Sequence, residues 1–292
     1  MKTWTYNRAS TEKDFLRNEE AFQHPDKGFF IVSHRGHWDG HPENSLSAIK
    51  SAMEVGANII EIDVHKTKDG ELILMHDDTV DRMTNGSGSV EDLTYEQIQT
   101  LFLRSGSGGA LANLTEEKIP TLTEVMLLVK DRVLINLDKI WDFRYDAYAV
   151  LKETDTLRNG LFKSRAPYQE VVDFIRETNG QALYMHMIHE ENLHELDLIL
   201  SDVRPSAIEL NFSTEDSPVI ARDTISKIKQ VGNVWINALD CSIREERSDQ
   251  MSLSNPDQGW GWIIEVGANI IQTDFPVELL AYLQAKKILI EE

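Results

Sequence analysis

The stretch EVGANII occurs twice in this 292-residue chain, at residues 54–60 and again at 265–271. In both copies a segment with helical spacing precedes the glycine, a common residue at the end of a helix, and a run of isoleucines follows. The first copy continues as EIDV (61–64) and the second as QTDF (272–275). Each copy therefore predicts a junction at which a helix ends and a buried strand begins.

Strands of this kind recur along the chain. Eight short runs rich in Ile, Val and Leu are apolar at nearly every position, which is typical of strands buried on both faces. Segments with helical spacing lie between most of them, and eight strand–helix units in series predict an α/β fold, the closed (β/α)8 or TIM barrel. The runs are 29–35, 58–64, 133–138, 160–164, 182–188, 207–212, 234–239 and 269–274.

Residues 66–120 interrupt this alternation. KTKDGELILMH (66–76) predicts a β-hairpin with an Asp-Gly turn, and hairpin-paired strands cannot be neighbours in an all-parallel barrel. We interpret 66–120 as a small subdomain inserted after the second strand, over the C-terminal mouth of the barrel. The chain then divides into an N-terminal extension (1–28) and a barrel domain (29–292).

The composition limits the possible partners. Lys and Arg number 29 against 49 Asp and Glu, which gives a formal net charge of −20 and argues against nucleic acid. A phosphate-bearing small molecule remains possible, because a few local cations can neutralise it. No apolar run approaches the ~20 residues of a membrane span, so no stable membrane insertion is predicted. The single cysteine permits no internal disulfide.

The sequence does not determine the cellular compartment or the oligomeric state. The N-terminal residues lack the apolar core of a signal peptide, which leaves a cytoplasmic protein or one exported with its leader removed. The oligomeric state does not follow from the sequence.

Reactive side chains lie where the strands are predicted to end, which is where the active sites of such barrels form. His34 and Arg35 follow the first strand, and His76 ends the hairpin. Glu61 and Asp63 are two residues apart on the second strand, so their side chains project from the same face. These five residues are candidates for one site.

Two carboxylates that point into the mouth of a barrel repel each other and lose hydration, so they need a counter-charge. A divalent cation is the simplest one, and oxygen ligands favour Mg²⁺ or Ca²⁺. The alternative is that they only form ion pairs with Arg35 and Lys163. The second EVGANII copy carries Gln272 and Asp274 instead, and we expect these two to close the barrel without building a cation site.

A cation flanked by two histidines, an arginine and a lysine suits phosphoryl transfer. The cation and the arginine can neutralise phosphoryl oxygens, while one histidine accepts a proton and the other donates one. The alternative is that each histidine makes only structural hydrogen bonds. No glycine-rich P-loop is present, which argues against nucleotide hydrolysis of that type.

Several spaced motifs resemble the glycerophosphodiester phosphodiesterase family, from about residue 30 to 276. They occur in the same order as in that family and cover nearly the whole chain. The motifs are HRG (34–36), PENS (42–45), GANIIEIDV (56–64), TKDGELILMHD (67–77), TNGSG (84–88), IPTLTEV (119–125), VWINA (234–238) and GANIIQTDFP (267–276).

The resemblance implies a TIM barrel with a small inserted subdomain. It also implies a metal-dependent hydrolase of lipid and glycerol metabolism, which converts a glycerophosphodiester to sn-glycerol 3-phosphate and an alcohol. His34 and His76 match the acid–base pair of the family, and Arg35 matches its phosphate-binding arginine. Glu61 and Asp63 match two of its metal ligands.

The resemblance further implies that Trp235 and Asn237 belong to the substrate pocket. In the family a neighbouring hydroxyl of the substrate is thought to attack phosphorus, giving a cyclic phosphate that water then opens. The expected partner is thus a small-molecule phosphodiester, with Mg²⁺ or Ca²⁺ as the cofactor.

The third strand departs from the family pattern. The family has Glu-x-Lys there, with the glutamate as the third metal ligand, whereas this chain reads Asn136-Leu-Asp138-Lys139. We predict Asp138 as the ligand because a carboxylate binds a hard cation better than an amide does. Lys163 then replaces the missing phosphate-binding lysine. Asn136 shares a face with Asp138 and stays an alternative.

Two other functions are compatible with this sequence. A related phosphodiesterase could act on lysophospholipids or on a phosphodiester polymer such as teichoic acid, and an exposed apolar rim on the insertion would favour the lipid. A catalytically silent barrel used for binding is the other, supported only by the altered third strand.

Overall fold

The structure is a computed structural model, and it describes residues 4–6, 11–25 and 27–291. Its strands are β1 (Trp4–Tyr6), β2 (Phe30–Ser33), β3 (Ile59–Lys66), β4 (Leu72–Leu74), β5 (Leu134–Asp138), β6 (Gly160–Ser164), β7 (Leu183–Ile188), β8 (Ala207–Leu210), β9 (Asn233–Asn237), β10 (Ile270–Thr273) and β11 (Leu289–Glu291).

The helices alternate with most of these strands. They are α1 (Glu12–Phe22), α2 (Leu46–Val55), α3 (Tyr95–Ile98), α4 (Leu122–Val129), α5 (Arg144–Glu153), α6 (Tyr168–Glu177), α7 (Leu196–Leu198), α8 (Arg222–Ile228), α9 (Asp249–Ser254), α10 (Trp262–Val266) and α11 (Pro276–Ala285). Two π-helical turns, Ile199–Val203 and Asp257–Gly261, extend α7 and precede α10.

Eight parallel strands of the described residues close into a barrel. Each pairs with its neighbour in the order β2, β3, β5, β6, β7, β8, β9 and β10, and β10 pairs again with β2. All eight lie within the runs predicted from the sequence or overlap them closely. The TIM-barrel prediction is confirmed.

The two EVGANII copies form the predicted junctions. The first joins α2 to β3 through Gly56, and the second joins α10 to β10 through Gly267; both glycines have positive φ. The asparagine of each copy is buried and accepts a hydrogen bond from the neighbouring strand, Asn58 from the backbone of Ile31 and Asn269 from that of Val234, at 3.0 and 2.9 Å. The repeated EVGANII sequence therefore forms the same kind of helix–strand junction at both places.

The bottom of the barrel is filled by apolar side chains and closed by α1. Phe15 and Phe22 of α1 pack into the same buried cluster as Phe30 and Trp235 inside the barrel. Phe22 and Phe30 meet edge to face, with ring centroids 5.4 Å apart. The predicted boundary at residue 28 is therefore wrong for this helix, which belongs to the barrel core because its aromatic side chains cover the open end.

The segment between β3 and α4 builds on the predicted hairpin. β4 pairs antiparallel with the end of β3, with Val64 opposite Leu74 and Lys66 opposite Leu72. The rest folds around its own small apolar cluster, which includes Ile73. Because β3 continues from the barrel wall into this hairpin, the segment lies at the C-terminal end of the strands.

Within the described residues, no helix combines the length and the hydropathy needed to cross a lipid bilayer.

Candidate active site

Most of the predicted site residues line one cavity of about 210 Å³ at the C-terminal end of the barrel. They come from six different strands or strand ends, and the chain separates them by about two hundred residues. The predicted residues in its wall are His34, Arg35, Asp63, His76, Asp138, Lys163 and Asn237. Barrel closure brings them together.

Three carboxylates cluster at this cavity. One oxygen each from Glu61, Asp63 and Asp138 lies within 4.8 Å of the others. Asp63 and Asp138 are register partners on the adjacent strands β3 and β5. Glu61 and Asp63 are buried, whereas the side chain of Asp138 is 32% exposed. Burial and the nearby charges of Asp63 and Asp138 raise the pKa of Glu61 well above its usual value.

This cluster fits a hard divalent cation. Buried carboxylates repel each other unless a positive charge lies between them, and the donors are all oxygens. Asn136 lies beside Glu61 in register and is fully buried. Neither polar atom of its side chain has a hydrogen-bond partner among the described residues, so a further oxygen is available next to the cluster. These residues could hold a metal ion.

His34 is held by Asp274. Nδ1 of His34 donates to Oδ1 of Asp274 at 2.7 Å, and Nε2 lies 4.0 Å from Oε2 of Glu61. The backbone N–H of His34 also donates to the carbonyl of Thr273. Asp274 was predicted to close the barrel without building a cation site, and no role toward His34 was predicted for it. Because β10 is the register neighbour of β2, the residue that follows β10 reaches the imidazole.

His76 has an analogous carboxylate partner in the next residue. Its Nδ1 donates to Oδ1 of Asp77 at 2.8 Å. Arg82 holds that carboxylate with two further hydrogen bonds, from Nε at 2.7 Å and from Nη2 at 2.9 Å. The hydrogen bonds from Arg82 lower the pKa of Asp77 well below its usual value. Asp77 therefore stays ionised beside the imidazole.

A chain of alternating charges connects Arg82 to Arg35. Glu43 accepts from Nη2 of Arg82 at 2.7 Å and from Nη1 of Arg35 at 3.1 Å. Nε of Arg35 lies 3.3 Å from Oδ2 of Asp63. No role was predicted for Glu43 or Arg82. Glu43 lies in the PENS motif and Arg82 is a cation five residues after Asp77, and these positions are the signals that could have indicated them.

Asn44, the next residue of the PENS motif, fixes Asp63. Its side chain donates to Oδ2 of Asp63 at 2.9 Å and accepts from the backbone N–H of Asp63 at 3.1 Å. Asn44 has a φ of 55°, which asparagine tolerates better than most residues. This reciprocal pair sets the direction of one carboxylate of the cluster.

Lys163 bridges two carboxylates inside the barrel. Its Nζ lies 2.8 Å from Asp138 and 3.1 Å from Glu209. Burial alone would lower its pKa, but the two carboxylates outweigh burial and raise it. Burial likewise opposes ionisation of Asp138, and Lys163 lowers the pKa of Asp138 below its usual value. Lys163 and Asp138 are therefore both charged at neutral pH.

Trp235 does not lie in the cavity wall, so its prediction as a substrate contact is wrong. The side chain is fully buried in the apolar layer at the bottom of the barrel. Its Nε1 donates to Oδ1 of Asn237 at 2.7 Å, and Asn237 in turn donates to Glu209 at 3.1 Å. Both residues face inward, but Trp235 is two positions earlier on β9 and therefore one layer deeper.

Lys139 ties the hairpin to the barrel. Its backbone N–H donates to Asp138 at 2.8 Å, and its Nζ donates to the backbone carbonyl of His76. Nε2 of His65 lies 3.4 Å from the same carbonyl. These contacts place His76 beside the carboxylate cluster although it lies outside the eight barrel strands.

Residues 34–165 match a family model described as the glycerophosphoryl diester phosphodiesterase family. The chain therefore contains a domain of this family within these residues. Residues 184–283 match a second model, described only as a domain of unknown function. The phosphodiesterase match thus contains the two histidines and the three clustered carboxylates, whereas Glu209, Asn237 and Asp274 lie in the other half.

Named relatives agree with this family assignment. A glycerophosphodiester phosphodiesterase of Caldanaerobacter subterraneus subsp. tengcongensis is 47% identical over 109 residues, which is 37% of this chain and 44% of the relative. The chain spans less than half the length of this relative and of the other curated relatives that it matches.

Solved structures of the family share the fold over nearly the whole chain. A glycerophosphoryl diester phosphodiesterase from Parabacteroides distasonis has a TM-score of 0.73 at 22% identity, covering 97% of this chain and 94% of that one. A phosphodiesterase from Oleispira antarctica, solved with the product sn-glycerol-3-phosphate, has a TM-score of 0.63 at 18% identity, covering 87% and 96%. At these identities the likeness concerns the fold.

Proposed function

We propose that the protein is a divalent-cation-dependent phosphodiesterase, which hydrolyses glycerophosphodiesters to sn-glycerol 3-phosphate and an alcohol. The observation that carries this proposal is the convergence of His34, His76 and Arg35 on one cavity beside the three clustered carboxylates. The family assignment supports the same chemistry. The product found in the Oleispira antarctica relative supports glycerol 3-phosphate as the product here.

Glu61, Asp63 and Asp138 would hold the cation, Mg²⁺ or Ca²⁺. When bound, the cation supplies positive charge to the phosphoryl oxygens. Arg35 lies at the cavity with part of its guanidinium already bound to Glu43, which fixes the orientation of the rest. Lys163 is oriented by Asp138 and Glu209, and it adds a second protein cation at the phosphate.

His34 and His76 would move the protons. Each donates from Nδ1 to a carboxylate, Asp274 or Asp77, which leaves Nε2 as the nitrogen for proton transfer. A glycerol hydroxyl attacks phosphorus while one histidine takes its proton, and the other histidine protonates the departing alcohol oxygen as its P–O bond breaks. Water then opens the cyclic phosphate with the two roles exchanged.

Glycerol 3-phosphate release is the expected activity. Purified protein with Mg²⁺ or Ca²⁺ should release it from glycerophosphocholine or glycerophosphoethanolamine, and EDTA should stop the reaction because the carboxylates then lack their counter-charge. An assay coupled to glycerol-3-phosphate dehydrogenase measures the product. No release from either substrate with either cation would contradict the proposed function.

A lysophospholipid is a second candidate substrate, favoured by apolar exposure on the insertion. Leu111 is fully exposed and Leu114 is 47% exposed. Their loop is tied to the site, because Gly106 accepts a hydrogen bond from the backbone of Glu43 and Ser107 accepts one from Arg82. We propose that the inserted subdomain, about residues 66–120, shapes substrate access and that these leucines would contact an acyl chain.

The double variant Leu111→Ser, Leu114→Ser separates the two substrates. If lysophospholipids are the substrate, kcat/KM for lysophosphatidylcholine should fall at least about tenfold. A fully covered leucine contributes roughly 1.5–3 kcal/mol, so even partial coverage of the two leucines exceeds the ~1.4 kcal/mol of a tenfold effect. The rate with glycerophosphocholine should not change. Leu127→Ser on α4, where the leucine is 58% exposed, is the control. Equal effects on both substrates would exclude an acyl contact.

A further inference from the structure

Asp249 is a buried carboxylate that none of the steps above uses. It begins α9, in the segment that follows β9, and it is almost fully buried. Among the described residues it has no ion-pair partner. Burial raises its pKa to about 7, although three hydrogen bonds favour the ionised form. A buried carboxylate that has no ion-pair partner and a raised pKa is a candidate for a functional residue.

Both oxygens of Asp249 hold the end of β10. Oδ1 accepts from the hydroxyl of Thr273 at 2.7 Å and from Nε1 of Trp260 at 2.8 Å. Oδ2 accepts from the backbone N–H of Asp274 at 2.9 Å. The backbone N–H of Asp249 donates to the carbonyl of Ala238 at 2.6 Å, so the carboxylate is itself anchored to the end of β9.

The segment that Asp249 holds is the one that holds His34. Thr273 accepts from the backbone N–H of His34 at 3.1 Å, and Asp274 accepts from its imidazole at 2.7 Å. Asp249 binds the backbone N–H of Asp274, whereas the side chain of Asp274 binds the imidazole. Asp249 therefore fixes the backbone from which the carboxylate that orients the imidazole projects.

We propose that Asp249 is a positioning residue for His34, acting through Thr273 and Asp274; the consequence for catalysis rests on the proposed function. Asp249, Thr273 and Asp274 all lie in the half of the chain that matches the domain of unknown function. That half thus supplies the group that orients an acid–base residue of the phosphodiesterase half.

The variant Asp249→Asn tests this positioning role, because it changes the hydrogen-bonding groups of the side chain but hardly its volume. An amide has only one acceptor oxygen, so its NH₂ group must face either the backbone N–H of Asp274 or the donors of Thr273 and Trp260. We expect kcat to fall about tenfold through misplacement of His34, with KM little changed. We also expect an altered pH profile of kcat/KM.

The imidazole itself provides a readout that does not need activity. Long-range ¹H–¹⁵N spectra report the tautomer of His34, with its signal assigned by His34→Gln. In the wild type Nδ1 should carry the proton, and in Asp249→Asn the Nε2–H tautomer should become populated. Asp257→Asn, which removes a surface contact to Lys286 in the same half of the chain, should match the wild type in both measurements.

Thr273 provides a second pair of variants in case Asp249→Asn does not fold. Thr273→Val removes one donor to Asp249 and should shift the tautomer and kcat in the same direction, whereas Thr273→Ser keeps the hydroxyl and should lie closer to the wild type. Wild-type kcat, pH profile and tautomer in the folded variants would overturn the proposal. If the wild type cleaves no glycerophosphodiester, the proposed function fails, and the tautomer still decides the role of Asp249.

Discussion

Replacing His34 or His76 with alanine should each lower turnover by about 100-fold or more, which is the usual contribution of a general acid or base. Each imidazole is fixed through Nδ1 by a carboxylate, which gives its Nε2 a defined direction that the methyl group of alanine cannot replace as an acid or base. Release of glycerol 3-phosphate under saturating substrate and cation measures the loss. KM should change much less, because the proton transfers occur in the transition state.

His194→Ala is the matched control for both variants. This histidine is exposed, and Nδ1 of its ring lies 3.0 Å from the backbone carbonyl of Glu191, outside the cavity that holds His34 and His76. The control should retain wild-type turnover. Near-wild-type rates in both His34→Ala and His76→Ala would remove the proposed acid–base mechanism, even if the protein proved to be a phosphodiesterase.

Asp138→Ala should weaken binding of Mg²⁺ or Ca²⁺ by at least about tenfold, since the number of charged ligands sets the affinity of such sites over several decades. The variant loses one carboxylate of the cluster. It also removes the nearer partner of Lys163, at 2.8 Å, and leaves that ammonium less compensated beside the cation. Calorimetric titration with the metal alone measures the affinity without any substrate.

Asn136→Ala and Asp138→Asn complete this experiment. Asn136→Ala should change the affinity less than Asp138→Ala does, and Asp138→Asn should give an intermediate value because it keeps one oxygen. If Asn136→Ala abolishes binding while Asp138→Ala retains it, the buried amide is the third ligand instead. A wild-type protein that binds neither cation would favour the silent barrel.

The local pattern of the chain predicted the fold well. Runs of β-branched residues gave the eight barrel strands, and the glycines of the two EVGANII copies gave two helix–strand junctions. These strands and junctions depend on residues only a few positions apart, so they can be predicted directly from the sequence. The alternation of side chains along a strand also placed Glu61 with Asp63 on one face of β3, and Asn136 with Asp138 on one face of β5.

The tertiary structure alone decided how deep each residue lies and which distant residues meet. Trp235 and Asn237 have the same alternation, yet one fills the core and the other lines the cavity. The level along the barrel axis at which the apolar layer ends and the cavity begins depends on how the eight strands are staggered.

Closure of the last strand onto the first brings Asp274 to His34 across 240 residues. The sequence by itself therefore determined which side chains face inward at the strand ends. Only the closed barrel determined their distant partners, since Asp274 reaches His34 and Asp249 reaches Thr273 through contacts that no local spacing encodes.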